Sequence, residues 1–74
     1  MKLTSMNAGM SLRKLMTENE ISAKQLGKDL GLSKTTITAL RKEKLISGRN
    51  LVKLSEYFNI SPSDFIRKGE QEIK

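Results

Sequence analysis

Apolar residues recur every three or four positions along most of this chain, a spacing typical of helices that bury one face. The pattern predicts a first helix from about Ala8 to Glu18, with Asn7 or Ser11 as its N-cap. The apolar positions of this helix are Leu12, Leu15 and Met16. Alternation of apolar and polar residues never persists over the length of a strand, so the sequence predicts no β-strand.

Two more short helices are predicted in the middle of the chain. Ser22, followed by Gln25 three residues later, forms a capping-box pattern and marks the start of the second helix. Gly31 marks its end, because helices often finish on a left-handed glycine. Ser33 would cap a third helix that runs to about Lys42. The inward positions of this pair are Leu26, Leu30, Ile37 and Leu40.

The second and third helices together have the spacing of a helix-turn-helix. Such a pair needs a small residue where the two helices cross and a conformationally permissive residue at the turn. Gly27 would occupy the crossing and Gly31 the turn. The outer face of the third helix carries lysine and several threonines, although threonine is a poor helix former. Hydroxyl and methyl groups suit contacts with phosphates and thymine methyls.

The C-terminal part of the chain predicts two further helices. Residues 43–48 would form a loop, and Arg49 or Asn50 would begin a fourth helix that ends near Phe58. Its inward positions are Leu51, Leu54, Ser55 and Phe58, and Asn59 would be a left-handed residue at its end. A fifth helix would begin after Ser61 with proline at its first position and stop at about Gly69.

Length and composition restrict the class of protein. The 74 residues suit one domain, residues 1–74, with a helical core at about 8–68 and a flexible tail at 69–74. The chain has no cysteine and no histidine, so the commonest metal ligands and the commonest general base are missing. We therefore expect no catalytic residues, no metal site and no cofactor. No apolar run approaches the ~20 residues of a membrane span, so we expect no membrane association and a cytoplasmic location.

The net charge of +6 is concentrated in one part of the chain. Residues 1–20 carry three basic and two acidic side chains, a net charge of +1. Residues 21–53 carry eight basic and two acidic side chains, a net charge of +6, whereas residues 54–74 carry three and four, a net charge of −1. The positive excess therefore coincides with the helix-turn-helix, which favours a polyanionic partner.

This arrangement resembles the lambda-type repressor and Cro family of phage and bacterial regulators, the XRE-like helix-turn-helix proteins, over roughly residues 10–68. The residues that carry the resemblance are Leu12, Leu15, Ile21, Ser22, Leu26, Gly27, Leu30, Gly31, Leu32, Ser33, Ile37, Leu40, Leu51, Leu54, Phe58, Ile60, Ser61, Phe65 and Ile66. The resemblance implies an all-α fold, a compact bundle of five short helices with the helix-turn-helix at helices 2 and 3. It also implies a nucleoid-associated, sequence-specific regulator of transcription that binds double-stranded DNA, such as a Cro-like or phage-type repressor.

The family pattern assigns two groups of DNA-contacting residues by position. With helix 3 in the major groove, the residues that would meet base edges are Lys34, Thr35, Thr38 and Ala39. Those that would contact phosphates are Ser22, Lys24, Thr36, Lys42, Lys44, Arg49 and Asn50. The N-termini of helices 2 and 4 would add backbone N–H groups.

The chain departs from the family pattern at several positions. Ala23 stands where the family often has a glutamine that contacts a phosphate. Met16 and Arg41 replace an arginine and a glutamate that many members pair, so we expect apolar packing along the arginine stem instead. Glu43 stands where a glycine usually ends helix 3, which indicates a longer helix or a different loop.

Three functional interpretations differ in the partner they require. A regulator of this size reads few base pairs alone, so we expect a homodimer on a palindromic operator, with half-sites about one helical turn apart. The residues proposed for its interface are Tyr57, Phe65, Ile66 and Ile73, of which at least one of Phe65 and Ile66 is expected in the core. The alternative is an antitoxin or other protein-interaction module with a toxin as partner and autoregulatory DNA binding. An RNA-associated role is disfavoured because the aromatic residues are few.

Overall fold

The structure, a computed structural model, describes the backbone of residues 3–73 and the side chains of residues 6–70. Its helices are α1 (Ala8–Glu18), α2 (Ala23–Leu30), α3 (Lys34–Leu40), α4 (Gly48–Tyr57) and α5 (Pro62–Lys68). Two short strands, β1 (Leu3–Ser5) and β2 (Gln71–Ile73), lie at the ends of the described chain. The all-α architecture with a helix-turn-helix at α2 and α3 is confirmed.

Each helix begins at a polar residue whose side chain accepts a hydrogen bond from the backbone N–H three residues later, which satisfies one unpaired donor of the first turn. The caps are Asn7, Ser22, Ser33, Ser47 and Ser61. Two predicted boundaries were wrong by one or two residues. The fourth helix begins at Gly48 because Ser47 caps it, and the third ends at Leu40, short of Lys42.

The two strands correct the prediction that the chain contains no β-structure. β1 and β2 pair antiparallel, with Leu3 opposite Ile73 and Ser5 opposite Gln71. Part of the segment predicted to be a tail, residues 69–74, therefore lies in a strand. Three residues are too few to show alternation, and their partner is almost the whole chain away, so local pattern could not reveal the pairing. The side chain of Ile73 and all of Lys74 lie outside the described residues.

The core lies where α1 and α5 pack together and against the helix-turn-helix. Its members are Ala8, Leu12, Leu15, Met16, Ala23, Leu26, Ile37, Leu54 and Phe65. Phe65 is 0% exposed, so it cannot form the predicted dimer interface with an exposed surface. It belongs to the core, as was expected of at least one of Phe65 and Ile66. Ile66 and Tyr57 are half-buried at the edge of this cluster.

Candidate nucleic-acid interface

The turn between α2 and α3 is fixed by two glycines. Gly31 adopts a left-handed backbone with φ of 71°, which glycine tolerates at little cost. The N–H of Leu32 then donates to the carbonyl oxygen of Gly27 at 2.8 Å. A Cβ atom on Gly27 would lie 2.6 Å from the Leu32 carbonyl oxygen, so the close approach requires glycine. Both glycines therefore have the roles predicted from the sequence.

The outer face of α3 brings together the four predicted base-reading residues. Ile37 is completely buried and Leu40 is half-buried, which fixes the side of α3 that faces the core. Lys34, Thr35 and Ala39 are exposed on the opposite side, and Thr38 is half-buried. These four residues line one shallow depression together with Lys42 and Glu43. We call the surface formed by Lys34, Thr35, Thr38 and Ala39 the α3 outer face.

Two of the threonine hydroxyls on α3 already have partners within the helix. The Thr36 hydroxyl lies 2.8 Å from that of Ser33, and the Thr36 N–H donates to the same serine oxygen at 3.1 Å. The Thr38 hydroxyl donates to the carbonyl oxygen of Lys34 at 2.9 Å. The Thr38 hydroxyl proton is therefore used inside the helix, which leaves the hydroxyl oxygen able to act as an acceptor only.

The loop from α3 to α4 is held by the N-terminus of α1. The N–H groups of Ala8 and Gly9 donate to the carbonyl oxygens of Lys44 and Glu43 at 2.9 and 2.7 Å. A Cβ atom on Gly9 would lie 2.6 Å from the carbonyl oxygens of Arg41 and Glu43, so this contact also requires glycine. α3 ends at Leu40, before Glu43, so the departure at Glu43 does not lengthen the helix. These contacts fix the backbone that carries Lys42 and Lys44.

The predicted phosphate-contacting residues are spread over four helix ends. Ser22 and Lys24 lie at the start of α2, Thr36 lies in the first turn of α3, and Lys42 and Lys44 follow α3. Arg49 and Asn50 lie in the first turn of α4, behind the Ser47 cap. All are exposed except Asn50, which is half-buried. Their role in phosphate binding stays a prediction.

Met16 and Arg41 face a common depression at the junction of α1 and α3. Met16 is buried and Arg41 is half-buried, and both line the same depression. The Nε atom of Arg41 is buried without a hydrogen-bond partner among the described residues. Arg13, three residues before Met16 on α1, lines the same depression and was missed by the sequence analysis. Because residues three apart lie on the same face of a helix, the spacing of Arg13 and Met16 could have indicated that Arg13 lies at this junction.

A polar contact supports the helix-turn-helix from α4. The Tyr57 hydroxyl donates to one carboxylate oxygen of Asp29 at 2.6 Å, and the Gln25 side-chain amide donates to the other at 2.7 Å. The hydrogen bond to Asp29 is the main cause that raises the pKa of Tyr57 to about 12, with smaller contributions from desolvation and the Asp29 charge. The hydroxyl of this dimer-interface candidate is therefore already engaged within the chain.

Two features are absent from the described residues, a metal-binding cluster and a membrane-spanning helix. No group of three or more metal-ligating side chains occurs among them. None of their helices has the length and apolar character needed to cross a membrane.

Comparison with known proteins agrees with this geometry. The family model for the Cro/C1-type helix-turn-helix DNA-binding domain matches residues 11–67, from the middle of α1 to the end of α5. No curated protein matches the chain. Because the family match covers most of the sequence and includes both helices of the motif, the chain belongs to the Cro/C1-type helix-turn-helix DNA-binding family.

Proposed function

We propose that this protein is a sequence-specific transcriptional regulator that binds a palindromic operator as a homodimer and acts as a Cro-like or phage-type repressor. In this proposal α3 lies in the major groove of double-stranded DNA, and each protomer reads one half-site. The protein would act in the cytoplasm at the nucleoid.

The observation that carries the proposal is the convergence of four side chains on the α3 outer face, opposite the buried Ile37. Lys34 has the length and charge to reach the guanine O6 and N7 acceptors. Ala39 and the methyl group of Thr38 can pack on a thymine methyl. A helix that displays these groups together, next to the basic residue Lys42, suits a DNA groove better than a protein surface.

The proposed homodimer would use half-buried apolar residues that the monomer leaves partly accessible. Ile66 on α5 and Tyr57 on α4 support such an interface, since both retain exposed surface at the edge of the core. Two reading helices spaced one DNA turn apart would give the specificity that a single module of this size lacks.

Selection from a pool of random duplex DNA, repeated at two salt concentrations, tests this proposal. We expect an enriched inverted repeat whose half-sites are about one helical turn apart. Binding without an enriched motif, with affinity that collapses as salt rises, would contradict it, because phosphate contacts alone behave in that way.

A second candidate function is a protein-interaction module, such as an antitoxin that also binds its own operator. The observation that favours it is the exposure of two large apolar side chains, Leu45 at 74% and Val52 at 47%. Exposed apolar side chains are often used for protein association where they form one contiguous patch. Static light scattering of the chain with and without the substitutions L45S and V52S would show whether these side chains mediate self-association. If wild-type and variant chains have the same mass in solution, Leu45 and Val52 do not mediate self-association and stay accessible to a different protein.

A further inference from the structure

Two arginines at the junction of α1 and α3 have no acidic partner within the described part of the chain. The ion pairs of residues 6–70 are Arg67 with Asp64 and Lys68 with Glu18, and neither includes Arg13 or Arg41. Arg13 is exposed on α1, and its Nε makes one long hydrogen bond of 3.4 Å to the Gly9 carbonyl oxygen.

Arg41 has an unsatisfied donor at this junction. Its backbone N–H closes α3 through the carbonyl oxygen of Ile37, but its side-chain Nε is buried without an acceptor among the described residues. A buried donor without a partner costs free energy, and no described residue accepts a hydrogen bond from this guanidinium, so its terminal nitrogens are not committed to an acceptor within the described chain. Phosphate oxygens match the planar guanidinium fork, which can donate two parallel hydrogen bonds.

The surface around the two arginines is continuous with the α3 outer face. Arg13 and Arg41 line one depression with Thr38 and Lys42, and a second with Lys34. Lys34, Thr38 and Lys42 also line the depression on the α3 outer face. A duplex that covers this face would therefore bring its backbone close to the two arginines.

The charges at this place favour an anion. Four cationic side chains line the connected depressions, namely Arg13, Lys34, Arg41 and Lys42. Two carboxylates oppose them, because Glu20 lines the depression with Arg13 and Arg41, and Glu43 lines the one on the α3 outer face. The surface thus remains positive, and it is attractive to a phosphate backbone.

We propose that Arg13 and Arg41 form a phosphate-binding pair that extends the DNA-contacting surface from α3 onto α1. This inference rests on the proposed DNA-binding function. Its ligand is a backbone phosphate of the same duplex that α3 reads. The pair lies outside the set of phosphate-contacting residues that the family pattern assigned.

The test is the salt dependence of DNA affinity for R13Q, R41M and the double variant. Each lost phosphate contact should reduce the slope of log affinity against log salt by ~0.9. The ratio of wild-type to variant DNA affinity should therefore fall about 3.5-fold between 50 and 200 mM salt when one contact is lost. It should fall about 12-fold when two contacts are lost. Methionine at position 41 keeps an aliphatic side chain beside Met16, and Arg13 is exposed, so R13Q tests the proposal even if R41M folds poorly.

Lys53→Gln is the matched control, because Lys53 is exposed and lines a different depression with Asp29 and Tyr57. Its slope should stay close to that of the wild type. Wild-type slopes in R13Q and in the double variant, with wild-type DNA binding intact, would overturn the phosphate-binding pair. A wild-type protein that binds no duplex would instead refute the proposed function, so the two failures are distinguishable.

A methylphosphonate scan of the selected duplex locates the contact. Neutralising the phosphate that the pair binds should weaken wild-type binding and leave the double variant unchanged. If every neutralised phosphate weakens both proteins equally, the two arginines bind no phosphate and the proposal is wrong.

Discussion

The Tyr57 hydroxyl donates to the Asp29 carboxylate at 2.6 Å and so joins α4 to the first helix of the helix-turn-helix. Asp29 lies near the C-terminal end of α2, where a carboxylate is disfavoured by the helix dipole. The two hydrogen bonds from Tyr57 and Gln25 compensate for that position. The contact thus helps to hold the orientation of α2 relative to the rest of the bundle.

The Tyr57 contact predicts a delayed tyrosine titration. Tyr57 is the single tyrosine of the chain, so the near-ultraviolet absorbance of tyrosinate reports on it alone. We expect a pKa of about 12 in the folded protein, compared with 10.0 for a free tyrosine. The D29N substitution removes the carboxylate acceptor and should return the pKa toward its ordinary value. Equal pKa values in wild type and D29N would show that the hydrogen bond does not form.

The same contact predicts how stability changes at alkaline pH. Because the folded pKa is raised, the stabilisation is fully present below pH 10 and is lost as pH rises through about 12. Urea unfolding at neutral pH and at increasing alkaline pH should show this loss for wild type. The Y57F variant should lack that component of the pH dependence, although general charge repulsion will destabilise both proteins.

Gly27 in α2 should tolerate replacement by alanine poorly. The new Cβ atom would lie 2.6 Å from the Leu32 carbonyl oxygen, so the backbone of the turn must shift. We expect G27A to lower the free energy of unfolding by about 1–3 kcal/mol, as overpacking commonly does. Thermal unfolding measures the change.

Gly48 provides the control for Gly27. It begins α4, and a Cβ atom there would meet nothing within 4 Å. G48A should therefore be neutral or stabilise by up to about 1 kcal/mol, because it restricts the unfolded chain. Equal destabilisation by G27A and G48A would contradict the close crossing of α2 and α3.

Ser33 should contribute to the stability of α3. Its hydroxyl oxygen accepts from the Thr36 N–H at 3.1 Å and caps α3. We expect S33A to lower the free energy of unfolding by about 1 kcal/mol. Ser63 is exposed, its hydroxyl contacts only that of Ser61, and it caps no helix, so S63A should change stability by less than about 0.5 kcal/mol. Chemical denaturation of both variants gives the comparison.

Helix positions could be predicted because their signals are local. The predicted serine caps of α2, α3 and α5 each lie three residues before the N–H that they satisfy, and the apolar spacing around Leu26, Ile37 and Leu54 reports burial directly. The pairing of Leu3 with Ile73 could not be predicted, since it depends on how the whole bundle brings the chain ends together.

Adjacent apolar residues and long side chains were harder to assign. Phe65 and Ile66 are neighbours on a short helix, and the sequence alone did not decide which one enters the core. The position of the Arg13 side chain beside Arg41 depends on the packing of α1 against α3. Sequence identified Arg41 only as half of an unusual pair with Met16, and its unsatisfied Nε is a feature of the three-dimensional structure.

The most direct test of the central claim, that α3 reads DNA bases, is parallel DNA selection with wild-type protein and K34A. We expect wild type to enrich an inverted repeat and K34A to lose preference at one position of each half-site, with discrimination there reduced by about 1–3 kcal/mol. K53A, which changes an exposed lysine away from the α3 outer face, should enrich the wild-type motif. An identical motif from K34A and wild type, with the preference intact at every position, would contradict base reading by Lys34 on the α3 outer face.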